Sequence, residues 1–148
     1  MLHGKCLLFF SRAALTREHN GVTLYARAAL SGNFTEVLSI IIPYNTMEEE
    51  HFPNFKGGEG ALEAKMFFDG LNRILHGRLV PGASIGLHTH ETGSEIIYIL
   101  SGTGKVLFDD GEETVTAGQC HYCPKGHTHS LINNSDADLV FFAVVPEQ

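Results

Sequence analysis

Cysteine is scarce in this chain, long apolar runs are missing, and basic side chains are outnumbered. The three cysteines, Cys6, Cys120 and Cys123, are an odd and sparse set that makes no disulfide framework, so a reducing compartment is the default. No stretch approaches the roughly 18 apolar residues of a membrane-spanning helix. Near the start, the apolar run from Cys6 to Phe10 is too short for the core of a signal peptide. Ten Lys and Arg against 17 Asp and Glu leave a formal charge of −7, which repels a phosphate backbone unless a basic patch offsets it. The expectation is a soluble, cytoplasmic protein with neither nucleic acid nor membrane as partner.

What is present is a globular composition. With 148 residues, 43% hydrophobic and 18% charged, and a mean hydropathy of +0.01, the chain is long enough for one domain with a core of its own. Charge is unevenly spread: Lys5, Arg12, Arg17 and Arg27 against Glu18 and Glu36 give residues 1–46 a net +2, leaving −9 for the rest. Glycine follows the same division, with 13 of 16 at Gly57 or later, as a turn-rich β domain requires. The division places an N-terminal extension at 1–46 and the folded domain at 47–148. The acid-poor start weakly resembles an organellar transit peptide; the alternatives are an ordinary extension, or Met47 as the true start.

Residues 1–32 are consistent with a helix or with disorder, Phe34 to Ile42 reads as a strand, and Thr46 to Glu50 as a solvated linker. From residue 61 the pattern becomes regular. Two strands, 61–68 and 71–80, flank an Asp69-Gly70 turn, and short segments follow at 84–90, 95–100, 105–109, 112–117, 119–123, 128–133 and 139–145. Even spacing with no helical period between strands indicates a sandwich or barrel. The segments 95–100 and 139–145 are apolar on both faces, so something must cover their outer sides; a second copy of the chain and the N-terminal segment are the candidates.

Of nine histidines, five (His88, His90, His121, His127 and His129) fall between residues 88 and 129. Histidine is the commonest metal ligand, so such clustering invites a metal reading. On a strand His88 and His90 share a face, Glu95 follows after a short turn, and His129 can join them only in a closed or folded-over sheet.

The spacing G-x5-H-x-H-x4-E-x6-G is met by Gly82, His88, His90, Glu95 and Gly102, and G-x5-P-x-G-x2-H-x3-N by Gly118, Pro124, Gly126, His129 and Asn133. With both motifs intact and in order, the sequence resembles the cupin superfamily over residues 82–133; the strand rhythm extends the likeness to about 61–145. The resemblance implies an all-β fold, an antiparallel double-stranded β-helix or jelly-roll barrel of roughly six to eight strands. It also implies one divalent transition metal (manganese, iron, nickel, zinc, cobalt or copper) held by His88, His90, Glu95 and His129. In six-coordinate geometry two positions then stay open for water, oxygen or a chelating anion.

The other singled-out residues are read more plainly. His121 and His127 are taken as ordinary loop histidines, with His127 as a candidate proton shuttle. Cys120 and Cys123 are taken as small core residues despite their C-x-x-C spacing. Ser84, Gly86, Ile97, Ile99 and Leu131 are expected to line the pocket, by parity with the ligands, and Tyr98 to lie outside it. Arg78, with His76, is a candidate anion-binding residue and Glu91 a candidate general acid. The resulting expectation is a homodimeric metalloenzyme for a small polar or anionic metabolite, of decarboxylase, dioxygenase or sugar isomerase type. The alternative is a non-catalytic binding module or sensor; the fold alone does not choose.

Overall fold

The computed structural model describes residues 41–148, together with the backbone of three earlier strands. Contacts divide the chain into two compact units, Met1–Ile41 and Ile42–Gln148. In the first, β1 (Leu15–His19), β2 (Val22–Ala26) and β3 (Leu38–Ser39) form an antiparallel sheet in the order β1-β2-β3. The described elements there are strands rather than a helix. The signal passed over is Asn20-Gly21, a dipeptide typical of two-residue hairpin connections. Of the strand expected at 34–42, only Leu38–Ser39 is described as one; most of its other residues lie outside the described part.

The second unit holds ten strands in two antiparallel sheets. One is ordered β11-β8-β13-β6-β5-β4 and the other β10-β9-β12-β7. The strands are β4 (Glu50–Pro53), β5 (Ala61–Phe68), β6 (Asn72–Leu79), β7 (Ser84–Thr89), β8 (Glu95–Ser101), β9 (Thr103–Phe108), β10 (Gly111–Thr116), β11 (Cys120–Cys123), β12 (Thr128–Ile132) and β13 (Leu139–Pro146). Sequence periodicity located every one of these but β4. Its sequence Glu-His-Phe-Pro lacks alternation, and it is an edge strand, where proline is tolerated.

Inward-facing residues of the two sheets, among them Leu62, Leu79, Ile97, Ile99, Val106, Leu131, Leu139 and Phe141, form one buried core. The Phe141 ring reaches across to Gly77, where a Cβ would stand 2.4 Å from its Cζ. Burying such a ring contributes about 1.5–3 kcal/mol, and any side chain at Gly77 would displace it. Asn133 is fully buried; its amide donates to the carbonyls of Leu79 and Ala137, each at 2.8 Å, while its oxygen accepts from Ser135. The motif asparagine thus ties the turn before β13 to β6. As expected, β8 and β13 are apolar on both faces. Tyr44 covers part of the outer side, meeting Phe142 edge-on and donating its hydroxyl to the Ile74 carbonyl.

Candidate metal centre

Four ligand-type side chains from three strands and a turn converge at one end of this unit. His88 is on β7, His90 follows it, Glu95 opens β8, and His129 lies on β12 directly opposite His88. Their convergence depends on a bulge. Between the pairs His129↔His88 and Leu131↔Ile85, β12 advances two residues and β7 three, so β7 carries one extra residue and its side-chain parity changes. Ile85 and His88 therefore both face inward. The expected lining by Ser84 and Gly86 is overturned for this reason. Ser84 instead accepts a hydrogen bond from the Glu59 backbone, and Gly86 packs against the backbone of Lys56–Gly58, where a Cβ would stand 2.2 Å from the Lys56 oxygen.

The bulge also aims an imidazole. His88 Nδ1 lies 2.8 Å from the Gly86 carbonyl, so it carries the proton and leaves Nε2 free on the inward side. His129 is 1% exposed, with Nδ1 3.0 Å from His121 Nε2 and Nε2 again inward. The backbone of His90 is clamped by bonds to His127 and Gly126. Glu95 Oε2 then stands 2.8 Å from His129 Nε2, 3.0 Å from His90 Nε2 and 3.9 Å from His88 Nε2, and the nitrogens of His90 and His129 are 2.9 Å apart. All four ligand atoms lie within 4.8 Å of one another. Atoms bound at about 2.1 Å and at right angles around one ion stand about 3.0 Å apart, so the spacing fits a divalent metal.

Protonation fits it too. Burial alone would raise the Glu95 pKa, but the imidazoles of His129 and His90 bond its carboxylate and hold it at about 2. Burial, which favours the neutral ring, lowers the His88 pKa, and the bond to the Gly86 carbonyl partly offsets it. An ionised carboxylate facing three imidazoles is a donor set that can ligate a cation.

Beside the cluster lies a cavity of about 190 Å³, bordered by Lys56, Arg73, Ile85, His88, His90 and Glu95. A larger hollow of about 450 Å³, bordered by Asp109, His121, Tyr122 and His127, touches none of the four ligands. The chemistry therefore belongs to the smaller one. Ile97, Ile99 and Leu131, expected to line the pocket, are packed in the core instead. Tyr98, 44% exposed, lies outside as expected.

The remaining candidates separate. Glu91 borders the cavity, exposed at its rim. His127 borders the larger hollow, its Nδ1 2.7 Å from Asp109, and does not reach the cluster. That bond, with one from the Thr128 backbone, lowers the Asp109 pKa. Arg78 sits on the outer face of β6, paired with Glu49 at 2.9 Å and Asp138 at 3.4 Å, and does not border the cavity. The cation of β6 that does is Arg73, on the face of the buried Leu75 and Leu79. This alternation was readable in the sequence.

His121 is a further correction. It is a partner of His129, stacked on its ring at 5.2 Å, and not a free loop residue. Its place opposite the buried Ile97 puts it on the inward face. Burial, then the neighbouring His129, lowers its pKa to about 4. Cys120 and Cys123 are both free thiols on opposite faces, Cys120 exposed and Cys123 buried. Only Cys123 is the core residue expected, and burial, with Glu95 and Asp109 nearby, pushes its pKa up to about 11, which keeps it unreactive.

With this geometry in hand, comparison with known proteins is informative. The cupin domain profile matches residues 75–145. The chain is 32% identical over 119 residues to a Thermotoga maritima protein named oxalate-binding protein, covering 74% of this chain and 96% of that one. The crystal structure of a predicted oxalate decarboxylase from the same organism superposes with a TM-score of 0.69 at 30% identity, covering 74% of this chain and all of that one. An RmlC-like cupin from Shewanella frigidimarina shares the fold, with a TM-score of 0.62 at 16% identity over 74% of this chain and 92% of its own.

Proposed function

Because the chain belongs to the cupin family, we propose that it binds one divalent transition metal through His88, His90, Glu95 and His129. The centre would hold a small carboxylate metabolite in the adjoining cavity. The observation that carries the reading is the convergence of four ligand-type side chains, their ligand atoms within 4.8 Å of one another, beside a cavity of about 190 Å³. A bound metal there would supply positive charge and open positions for an anion's oxygens. The chain's own part is to aim the imidazoles through Gly86 and His121, to keep Glu95 ionised, and to limit the ligand's size. Three nitrogens and one oxygen suit manganese, iron, cobalt, nickel, copper or zinc.

The names of the Thermotoga sequence match and the Thermotoga structure support a small dicarboxylate over a sugar, and hence decarboxylation ahead of dioxygenation or isomerisation. Glu91 is the proposed proton donor, as the one exposed carboxylic acid in the ligand-bearing loop that borders the cavity. A binding protein without turnover is the second reading, favoured by the placement of His127 and Arg78 away from the cluster. We assign the function to the unit Ile42–Gln148, which takes in Tyr44 and its neighbours from the stretch expected to be extension, and place the protein in the cytoplasm on the strength of the free thiols Cys120 and Cys123. No helix among the described residues is long and apolar enough to cross a membrane.

We further propose a homodimer packed through the outer face of β8 and β11, where Ile96, Tyr98, Leu100 and Tyr122 are 40–55% exposed; a monomer by light scattering at micromolar concentration would refute it. The functional test is metal analysis of protein purified without added metal, followed by oxygen uptake and carbon dioxide release with oxalate. His129→Ala should lose most of the bound metal, and full occupancy in that variant would overturn the four-ligand assignment.

A further inference from the structure

The described residues carry six Lys and Arg side chains. Four have polar partners: Arg78 pairs with Glu49, Lys105 with Glu112, Lys65 bonds the Tyr44 carbonyl and Lys125 the Gln148 carbonyl. The other two, Arg73 and Lys56, have neither an ion-pair partner nor a hydrogen-bonded one among the described residues, and both border the cavity of the ligand cluster. In a chain with 17 acidic residues, two unpaired cations in one cavity invite an explanation.

The Arg73 side chain is also fixed in place, as is the backbone that carries Lys56. Arg73 lies between Phe68 and Val145 in the sheet register, its guanidinium carbon 5.2 Å from the centre of the Phe68 ring. That contact anchors the cation without supplying an acceptor to its N–H groups. The side chain is partly buried, so a carboxylate brought to it meets a cation less screened by water than one on the open surface. Lys56 has φ +56°, in the left-handed region that disfavours side chains. The turn bearing it is pressed on β7 through the glycine contacts at Gly58 and Gly86. Glu91 and Glu147 border the same cavity and are exposed at its rim, as Lys56 is, so water screens all three and the partly buried Arg73 is the cation with the strongest pull on an anion.

We propose that Arg73 is the specificity-determining residue of this site. It would take the second carboxylate of a dicarboxylate whose first is held at the metal cluster, with Lys56 as a supporting point charge. The guanidinium fork suits a carboxylate, and its fixed position sets the length of acid accepted. The inference rests on the carboxylate-binding reading above. It adds a ligand contact away from the metal and assigns it to Arg73 rather than Arg78.

The test is calorimetric titration of the manganese-loaded chain with oxalate, malonate, succinate, glycolate and acetate, with metal content measured in every variant. Wild type should bind one dicarboxylate at least about tenfold tighter than the monocarboxylates. Arg73→Gln should weaken that dicarboxylate about 10- to 100-fold, the range for a charge-assisted bond. The same variant should leave monocarboxylate affinity within about twofold and metal content unchanged; Arg73→Lys should fall between. Arg73→Gln with unchanged dicarboxylate affinity, or with both classes weakened alike, overturns the role of Arg73 alone. Wild type that holds manganese yet binds none of the five acids overturns the carboxylate reading and this inference with it.

Discussion

Replacing His121 by phenylalanine keeps a flat ring stacked on His129, which the native ring meets at an interplanar angle of 21°, and removes the ring nitrogens. What this costs follows from tautomers. Without metal, His129 can hold its proton on Nε2 and donate to Glu95, 2.8 Å away, while Nδ1 accepts from His121. Metal binding needs Nε2 bare, so the proton moves to Nδ1 and must be given to an acceptor. His121 Nε2, 3.0 Å away, can serve in both states, because its ring borders the larger hollow and can exchange its other proton with water. Phenylalanine cannot accept.

In the phenylalanine variant the bound state therefore strands an N–H on a residue that is 1% exposed, at a cost of about 1–3 kcal/mol. Partners that orient metal ligands are worth about 10- to 100-fold in affinity, which is about 1.4–2.8 kcal/mol and agrees. The assay is competition for zinc against a chromophoric chelator near neutral pH. His121→Phe should lose about 10- to 100-fold in zinc affinity, and His121→Gln, whose amide can accept or donate, should recover most of it. His127→Phe should change nothing, since His127 pairs with Asp109 away from the cluster. Zinc affinity of His121→Phe within about twofold of wild type would refute the reasoning, as would an equal loss in His127→Phe.

Two further outcomes concern stability. Lys56→Gly should raise the unfolding free energy by about 0.5–1 kcal/mol in urea titrations, because glycine accepts φ +56° without strain; a loss of stability would show the lysine side chain to be structural. Asp69 accepts hydrogen bonds from Leu71 N, Asn72 N and the Asn72 side chain, and these hold its pKa below the ordinary value, the Asn72 side chain most. A depressed carboxyl pKa stabilises the fold above the unfolded-state value near 4 and ceases to do so as pH falls through the folded-state value. Asp69→Ala should therefore cost about 0.5–1 kcal/mol at pH 7, discounted for solvent exposure, and less at pH 3. A difference that does not shrink on acidification would contradict this.

How much of this was legible in the sequence depended on whether local periodicity or a register irregularity decided the outcome. The barrel strands and the outward placement of Tyr98 follow from alternation within single strands, and their expected places hold. The two spacing motifs located the turns and named the ligands by resemblance, but could not say why ligands on different strands face one another. That answer is the β7 bulge, where one extra residue between Ile85 and His88 reverses the parity on which Ser84 and Gly86 had been assigned to the pocket. Its one local mark is Gly86, an isolated glycine inside a strand pattern, which meets the backbone of the Lys56–Gly58 turn but does not say which way its neighbours face. Arg78 and Arg73 differ in kind from this. Leu75 and Leu79 already mark the inward face of β6, so Arg73 belonged to that face and Arg78 to the other, and the preference for Arg78 misjudged a pattern that was present. His121 falls between the two cases, since its own strand is too short to show a period and only pairing with β8 reveals which way it points. Where a pocket is built across a sheet irregularity, residues on regular strands such as Arg73 can be assigned from sequence, while those on the irregular strand need the pairing itself.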